Sequence, residues 1–466
     1  MIPDELFSPR SVAVVGASER EGSVGRAIMV NLLERFKGTI YPVNIKRRTV
    51  LGLRAYPRLS ELPEAPDLVV VAVPAKFVPG VIREAGEVGA KAAIVISAGF
   101  KEVGPEGARL EEELVRAARE TGLRVLGPNC LGVYDAHTGL DTIFNPSDRQ
   151  GKPGPGNVAF ISQSGALGAA ILDWLHESGI GMSKFISYGN AADIKEWELI
   201  EYLSHDPKTG VIGAYIEGVE DGRAFMRAVK EAVKAGKPVV VLKAGKSERG
   251  ARAVSSHTGS LAGSYRVYEA ALKQAGAIVV NELNDLVVAL KTLSWLPVAR
   301  GDRIGIVTNG GGAGVLATDA IELGGLRMAD LSSDTIGYLR KRLPPAAAVG
   351  NPVDVLGDAP PERYEVAVDA VMADPGVDAV LVIGIMQSPA FRPRETMEAV
   401  RSAVRKYGKP VVFVGPGGEY TTNNLRMIER EARVPAFKTP EEGVRALGYL
   451  VTWGRVLRAH GVGGER

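Results

Sequence analysis

Short apolar runs rich in β-branched residues recur along this chain, each ending in small or turn-forming residues and separated from the next by stretches of helical period. The first four lie at 11–15, 39–44, 68–73 and 92–96, with a helical pattern over 26–36 between the first two. Runs this short and this continuously apolar suit strands buried on both faces, as parallel strands are, with the intervening helices as crossovers. The pattern predicts an α/β fold of doubly wound sheets, with ligands at the carboxyl ends of the strands.

The pattern restarts twice. After the turn-forming stretch 147–156, a strand at 157–161 opens into Ser162-Gln163-Ser164-Gly165-Ala166-Leu167-Gly168. A strand at 303–308 opens into Asn309-Gly310-Gly311-Gly312-Ala313-Gly314. Counted from the first turn at Gly16, these openings are spaced by 146 and 147 residues, which predicts three similar units in tandem. The predicted units cover 1–130, 131–298 and 299–466. In the second, a strand at 210–216 delivers Glu217 to its carboxyl end, and another at 238–242 delivers Lys243-Ala244-Gly245-Lys246-Ser247. The last three of these resemble the end of a P-loop, but Val240 occupies the place of the required first glycine in mid-strand, so that motif is rejected.

Composition narrows the class without choosing a function. Hydrophobic residues make up 45% and charged residues 24%, an ordinary globular balance. A net charge of +2 argues against a general nucleic-acid surface. The single cysteine forbids an intramolecular disulfide, and neither a signal-like start nor a run of 18 apolar residues is seen. A soluble cytoplasmic protein is expected.

The first turn departs from the dinucleotide fingerprint: Ser18 and Glu21 stand where G-x-G-x-x-G needs glycines. The second strand ends not in an acid but in Asn44-Ile45-Lys46-Arg47-Arg48. That basic corner suits a ligand with an extra phosphate, either coenzyme A or NADP, or else is a solvated loop. Gly127-Pro128-Asn129-Cys130-Leu131-Gly132 follows the last strand of the unit; Asn129 can bond a ligand, whereas Cys130 is read as a small buried hydrophobe before a nucleophile. His257 lies within Ser255-Ser256-His257-Thr258-Gly259-Ser260-Leu261-Ala262-Gly263, small neighbours that suit either a phosphoryl carrier or a surface-loop histidine. Small-residue turns entering helices hold phosphate on backbone N–H groups, and a carboxylate such as Glu217 can orient an imidazole.

The whole chain resembles the α subunit of the NDP-forming acyl-CoA synthetases of archaea, relatives of succinyl-CoA synthetase. Val73-Pro74-Ala75, Gly127-Pro128-Asn129-Cys130, Ile161-Ser162-Gln163-Ser164-Gly165 and Ser256-His257-Thr258-Gly259 carry the likeness in the first two units. In the third unit, Asn309 to Gly314 and Asn351-Pro352-Val353-Asp354 resemble the carboxy-terminal domain of the succinyl enzyme's β subunit. The resemblance implies a Rossmann-like CoA-binding domain followed by two flavodoxin-like ligase domains, the first bearing a phosphohistidine. It implies reversible conversion of acyl-CoA, ADP and phosphate to carboxylic acid, CoA and ATP, through an acyl phosphate and phospho-His257 oriented by Glu217. Phosphate would rest on Ser162, Gln163, Ser164 and Gly165 and on Asn309, Gly310, Gly311, Gly312, Ala313 and Gly314. Coenzyme A would be held by Gly16, Ala17, Ser18, Ser23, Val24, Asn44, Lys46, Val73, Pro74, Ser97, Ala98 and Asn129. Ala98 replaces an acidic residue of the succinyl enzyme, so succinate specificity is not carried over. No metal site is expected on this chain. ADP and Mg²⁺ would bind a separate ATP-grasp β subunit in an α2β2 heterotetramer. The alternatives are a CoA-binding sensor or scaffold without turnover, and an NADP-dependent oxidoreductase.

Overall fold

The computed structural model describes residues 1–258 and 264–462, the side chains of 255–258 excepted. Two compact units are formed, Met1–Leu286 and Val287–Arg466. The first unit contains two large sheets and a small two-stranded hairpin at 49–54. β1 (Ser11–Val15), β2 (Thr39–Val43), β3 (Leu68–Val71), β4 (Ala92–Val95) and β5 (Arg124–Leu126) form an all-parallel sheet in the order β2-β1-β3-β4-β5. The second sheet combines β6 (Gly132–Asp135), β7 (Pro155–Ser162), β8 (Met182–Ser187), β9 (Val211–Ile216), β10 (Val239–Lys243) and β11 (Ile278–Val280) in the order β11-β10-β9-β7-β8-β6. Its five parallel strands, β7 to β11, repeat the first sheet's connectivity, which puts a chain reversal beside the opening strand of each.

The second unit repeats it again. β12 (Arg303–Thr308), β13 (Arg327–Met328), β14 (Val353–Asp354), β15 (Ala379–Ile383), β16 (Val411–Val414) and β17 (Ala436–Phe437) form a sheet in the order β13-β12-β15-β16-β17, with β14 pairing the end of β12. The predicted strands are present with ends shifted by a residue or two, the ordinary uncertainty of a fraying boundary.

Burial explains the apolar runs. Every residue of β1, β3 and β4 is buried, because helices cover both faces of the sheet. The antiparallel edge strand β6 is the element the pattern did not foresee. Lys184 on β8 stands directly opposite Asp135 on β6, and its ammonium lies 3.2 Å from Asp135 and 2.8 Å from Asp206 with all three side chains buried. A buried cation held by two carboxylates fixes this edge in one register, since a slip would leave charges unpaired. Among the described residues, no helix is long and apolar enough to cross a membrane.

Candidate functional site

At the reversal point of the first sheet, β1 ends in Gly16 with φ 94°, a conformation that favours glycine. A Cβ on Gly25, at the start of the helix Val24–Arg35, would stand 2.0 Å from the Gly16 carbonyl oxygen. Gly25 therefore supplies the close helix-to-strand packing that a dinucleotide fingerprint obtains from its later glycine. The spacing of Gly16 and Gly25 was visible in the sequence, but not its use. The Asn44 side chain shapes this corner: its amide donates to the Ala17 carbonyl at 2.8 Å, and its oxygen accepts from the Lys46 and Arg47 N–H groups. Arg47 is paired with Glu19 at 2.7 Å, so part of the basic corner is neutralised within the protein. Gly16, Asn44, Lys46, Val73 and Pro74 line one cavity of about 440 Å³.

Val73 also lines a second cavity, of about 770 Å³, where Ser97, Ala98, Asn129 and Val24 meet the Gln163-Ser164-Gly165 turn. The two cavities thus share a wall at the switch point, which suits one extended ligand. Asn129, at φ 57°, donates its backbone N–H to the Ser97 carbonyl at 2.9 Å and its side-chain amide to Asn190 at 3.2 Å. Asn190 in turn donates to Glu102 at 2.7 Å and Glu111 at 2.8 Å. Burial works against the Glu102 charge, yet hydrogen bonds from Asn190, Gly99 and Phe100 outweigh it and hold the carboxyl below its ordinary value. The hydroxyls of Ser18, Ser23 and Ser97 bond nearby backbone, and Ala17 is buried. Cys130 is buried and its thiol donates to the Val95 carbonyl at 3.3 Å; burial pushes the thiol up to about 12. At neutral pH it is a thiol and not a nucleophile.

Ser164 caps the helix Gly165–Glu177, accepting from the Leu167 N–H at 3.3 Å, and the buried Ser162 hydroxyl donates to the Ser164 carbonyl at 2.6 Å. The first-turn amides of that helix form an anion cradle. Gln163 ties the cradle to Glu217: its side-chain oxygen accepts from the backbone N–H of Glu217 at 2.8 Å and of Gly218 at 3.1 Å. Glu217 is 5% exposed, and its carboxylate accepts from the Tyr215 hydroxyl at 3.3 Å. Its carbonyl accepts from Lys243 at 2.9 Å, an ammonium that burial holds below its ordinary value and that stands 4.7 Å from the Tyr268 ring centre. Tyr215, Lys243 and Tyr268 were not foreseen as site residues. The register of β9 and β10, where Ile216 pairs with Lys243, brings Lys243 to Glu217; Tyr215 lies two residues before it on β9, and Tyr268 comes from the helix Tyr265–Ala275.

Tyr188 and Glu196 form a buried pair behind this edge. The Tyr188 hydroxyl and one Glu196 oxygen have no hydrogen-bond partner, and burial pushes the Glu196 carboxyl up from 4.5 to about 7. A group that holds its proton more tightly when folded contributes its full stabilisation below its unfolded pKa and loses it as pH rises through the folded one. Glu196→Gln, uncharged throughout, should therefore flatten the loss of stability between pH 4.5 and about 7. At about pH 8 the variant should be more stable than the parent by roughly 2–3 kcal/mol, as urea midpoints would show.

In the second unit Gly310 precedes the helix Gly311–Leu323, and a Cβ there would meet Ile385 at 2.6 Å. The Asn309 side chain bonds both the N–H (2.7 Å) and the carbonyl (3.2 Å) of Ile385. Asn309 thus ties the turn to the end of β15, while Gly311 and Gly312 present helix-start amides. Asp354 lies 3.2 Å from the place of a Gly311 Cβ, so a carboxylate borders this second cradle and makes it less hospitable to an anion than the first. The His257 side chain and the segment 259–263 lie outside the described residues; the backbone of 248–258 is helical.

Family models agree with this layout. A CoA binding domain matches residues 10–136, a succinyl-CoA ligase like flavodoxin domain matches 155–293, and a ligase-CoA domain matches 304–461. The chain is 42% identical over 464 residues to the α subunit of acetate–CoA ligase [ADP-forming] II of Pyrococcus furiosus, covering 99% of both. It belongs to the ADP-forming acetate–CoA ligase family. Against acetate–CoA ligase [ADP-forming] I of Archaeoglobus fulgidus it is 43% identical, covering 97% of this chain but 64% of that longer one. The dinucleotide-forming acetyl-coenzyme A synthetase 1 of Ca. Korarchaeum cryptofilum, solved with phosphate and ADP, superposes with a TM-score of 0.92 at 39% identity, covering 98% and 97% of the two chains. The NADP reading of the basic corner belongs to a different family.

Proposed function

We propose that this chain is the α-type subunit of an ADP-forming acyl-CoA synthetase, converting acyl-CoA, ADP and phosphate reversibly to carboxylic acid, CoA and ATP. The observation that carries the reading is the cavity in which Ser97 and Asn129 from the first sheet meet the Gln163-Ser164-Gly165 cradle of the second. CoA would lie across the switch point with its nucleotide end beside Asn44 and Lys46 and its thioester beside the cradle. Amides of the cradle would hold phosphate while one of its oxygens attacks the thioester carbonyl; the carbon–sulfur bond breaks and CoA leaves as thiolate. A ring nitrogen of His257 would then attack the phosphorus of the acyl phosphate, releasing the carboxylate. Glu217 would accept the N–H of the other ring nitrogen, fixing the tautomer and stabilising the cation that forms.

The phosphoryl group would pass from His257 to ADP held with Mg²⁺ on an ATP-grasp β subunit, within an α2β2 cytoplasmic enzyme. The α-subunit names of the full-length relatives support a partner chain. Its three working parts would be a CoA domain over 1–130, a phosphohistidine domain over 131–298 and a ligase-CoA domain over 299–466. The chain combined with a β subunit is expected to release CoA from acetyl-CoA over many turnovers only when both ADP and phosphate are present, with ATP formed mole for mole; phosphate alone should release no more than one CoA per site. Retained CoA binding with no thiol release under those conditions would favour the sensor reading instead.

A further inference from the structure

We infer that the connector at Phe144 and Asn145 is the wall that selects the acyl group by its length. The inference rests on the thioester chemistry proposed for the same cavity and goes on to name the part of the substrate read there. Phe144 and Asn145, both half-buried, line the cavity of about 770 Å³ across from Ala166 and Ala169 of the cradle helix. Among the described residues, no Asp, Glu, Lys, Arg or His lines it. On the Phe144 side the acyl chain meets an apolar side chain, against which methyl and methylene groups leave water favourably.

The polar groups at the thioester end are already engaged. The Ser97 hydroxyl is on the Val73 carbonyl, the Asn129 amide is on Asn190, and the Gln163 oxygen is on the Glu217 and Gly218 amides. The Phe144 ring is left as the largest apolar face of the lining. Its position is fixed from outside the cavity: Asn31, 1% exposed, donates its side-chain amide to the carbonyls of Ile143 at 2.6 Å and Asn145 at 3.0 Å, bracketing Phe144. Farther along the connector, buried Gln150 donates to the Ala169 carbonyl at 2.9 Å, tying it to the opposite wall. Such a strap holds the ring firmly enough to discriminate chain length.

The test is kcat/KM of the assembled enzyme with acetyl-, butanoyl- and hexanoyl-CoA, for the parent, Phe144→Ala and Phe144→Trp. The expected result is a hexanoyl-to-acetyl ratio about tenfold higher in Phe144→Ala and lower in Phe144→Trp. The opposed pair guards against a variant that merely folds badly, since misfolding lowers all rates without reversing a ratio. Turnover of acetyl-CoA with the ratio unmoved in both variants would overturn the acyl wall and leave the proposed reaction standing. No turnover of any thioester by the parent would overturn both.

Discussion

Replacing His257 by alanine is expected to lower ADP- and phosphate-dependent CoA release by roughly 10⁴-fold or more, the scale of losing a covalent nucleophile. Incubation of the parent chain and its β partner with γ-labelled ATP should give an acid-labile, base-stable label, as a phosphorus–nitrogen bond requires, and the variant should carry none. CoA affinity should be unchanged, because among the described residues both cavities are lined by positions from Val15 to Ala169. A variant that keeps the label would remove His257 from the mechanism. One that loses CoA affinity together with the label would point to a structural role.

Glu217→Gln is the second large effect, an expected slowing of phosphoryl transfer by about 10² or more. The amide keeps the size of the side chain and can still accept from the Tyr215 hydroxyl. It lacks the charge that would stabilise an imidazolium, and its NH₂ group offers a donor where an acceptor is needed. The Gln163 contacts are to the Glu217 and Gly218 backbone, so they survive the substitution. Rapid-quench measurement of label on His257 separates this step from CoA release. An unaltered phosphorylation rate would leave Glu217 a strand-end carboxylate and nothing more.

Much of the architecture was legible because parallel strands buried on two faces write themselves as unbroken apolar runs, and because each sheet opens on a small-residue turn. Glu217 was legible by the same logic, as the first polar residue after such a run. What the sequence did not show depends on register. β6 is only four residues long and follows directly on the first unit's last turn, so nothing in its pattern marked it as an antiparallel edge of the second sheet. Asn44 and Asn309 look like ligand-binding side chains, yet most of their hydrogen bonds organise the loops around them. Asn31 sits in a helix whose burial gave no hint of a partner more than a hundred residues away. Long-range polar pairs of this kind have no local period to betray them.

The passage from Asn129 to Leu131 forms part of the larger cavity, and the next residue, Gly132, begins the outermost ribbon of the neighbouring sheet. With the thioester placed there as proposed, grip on it and integrity of that ribbon become a single property. Parts of a fold can open locally at less cost than global unfolding. Any opening of this edge would loosen the proposed hold on the substrate before the rest of the protein unravelled, and the buried Lys184 ammonium between two carboxylates is the clasp that opposes it.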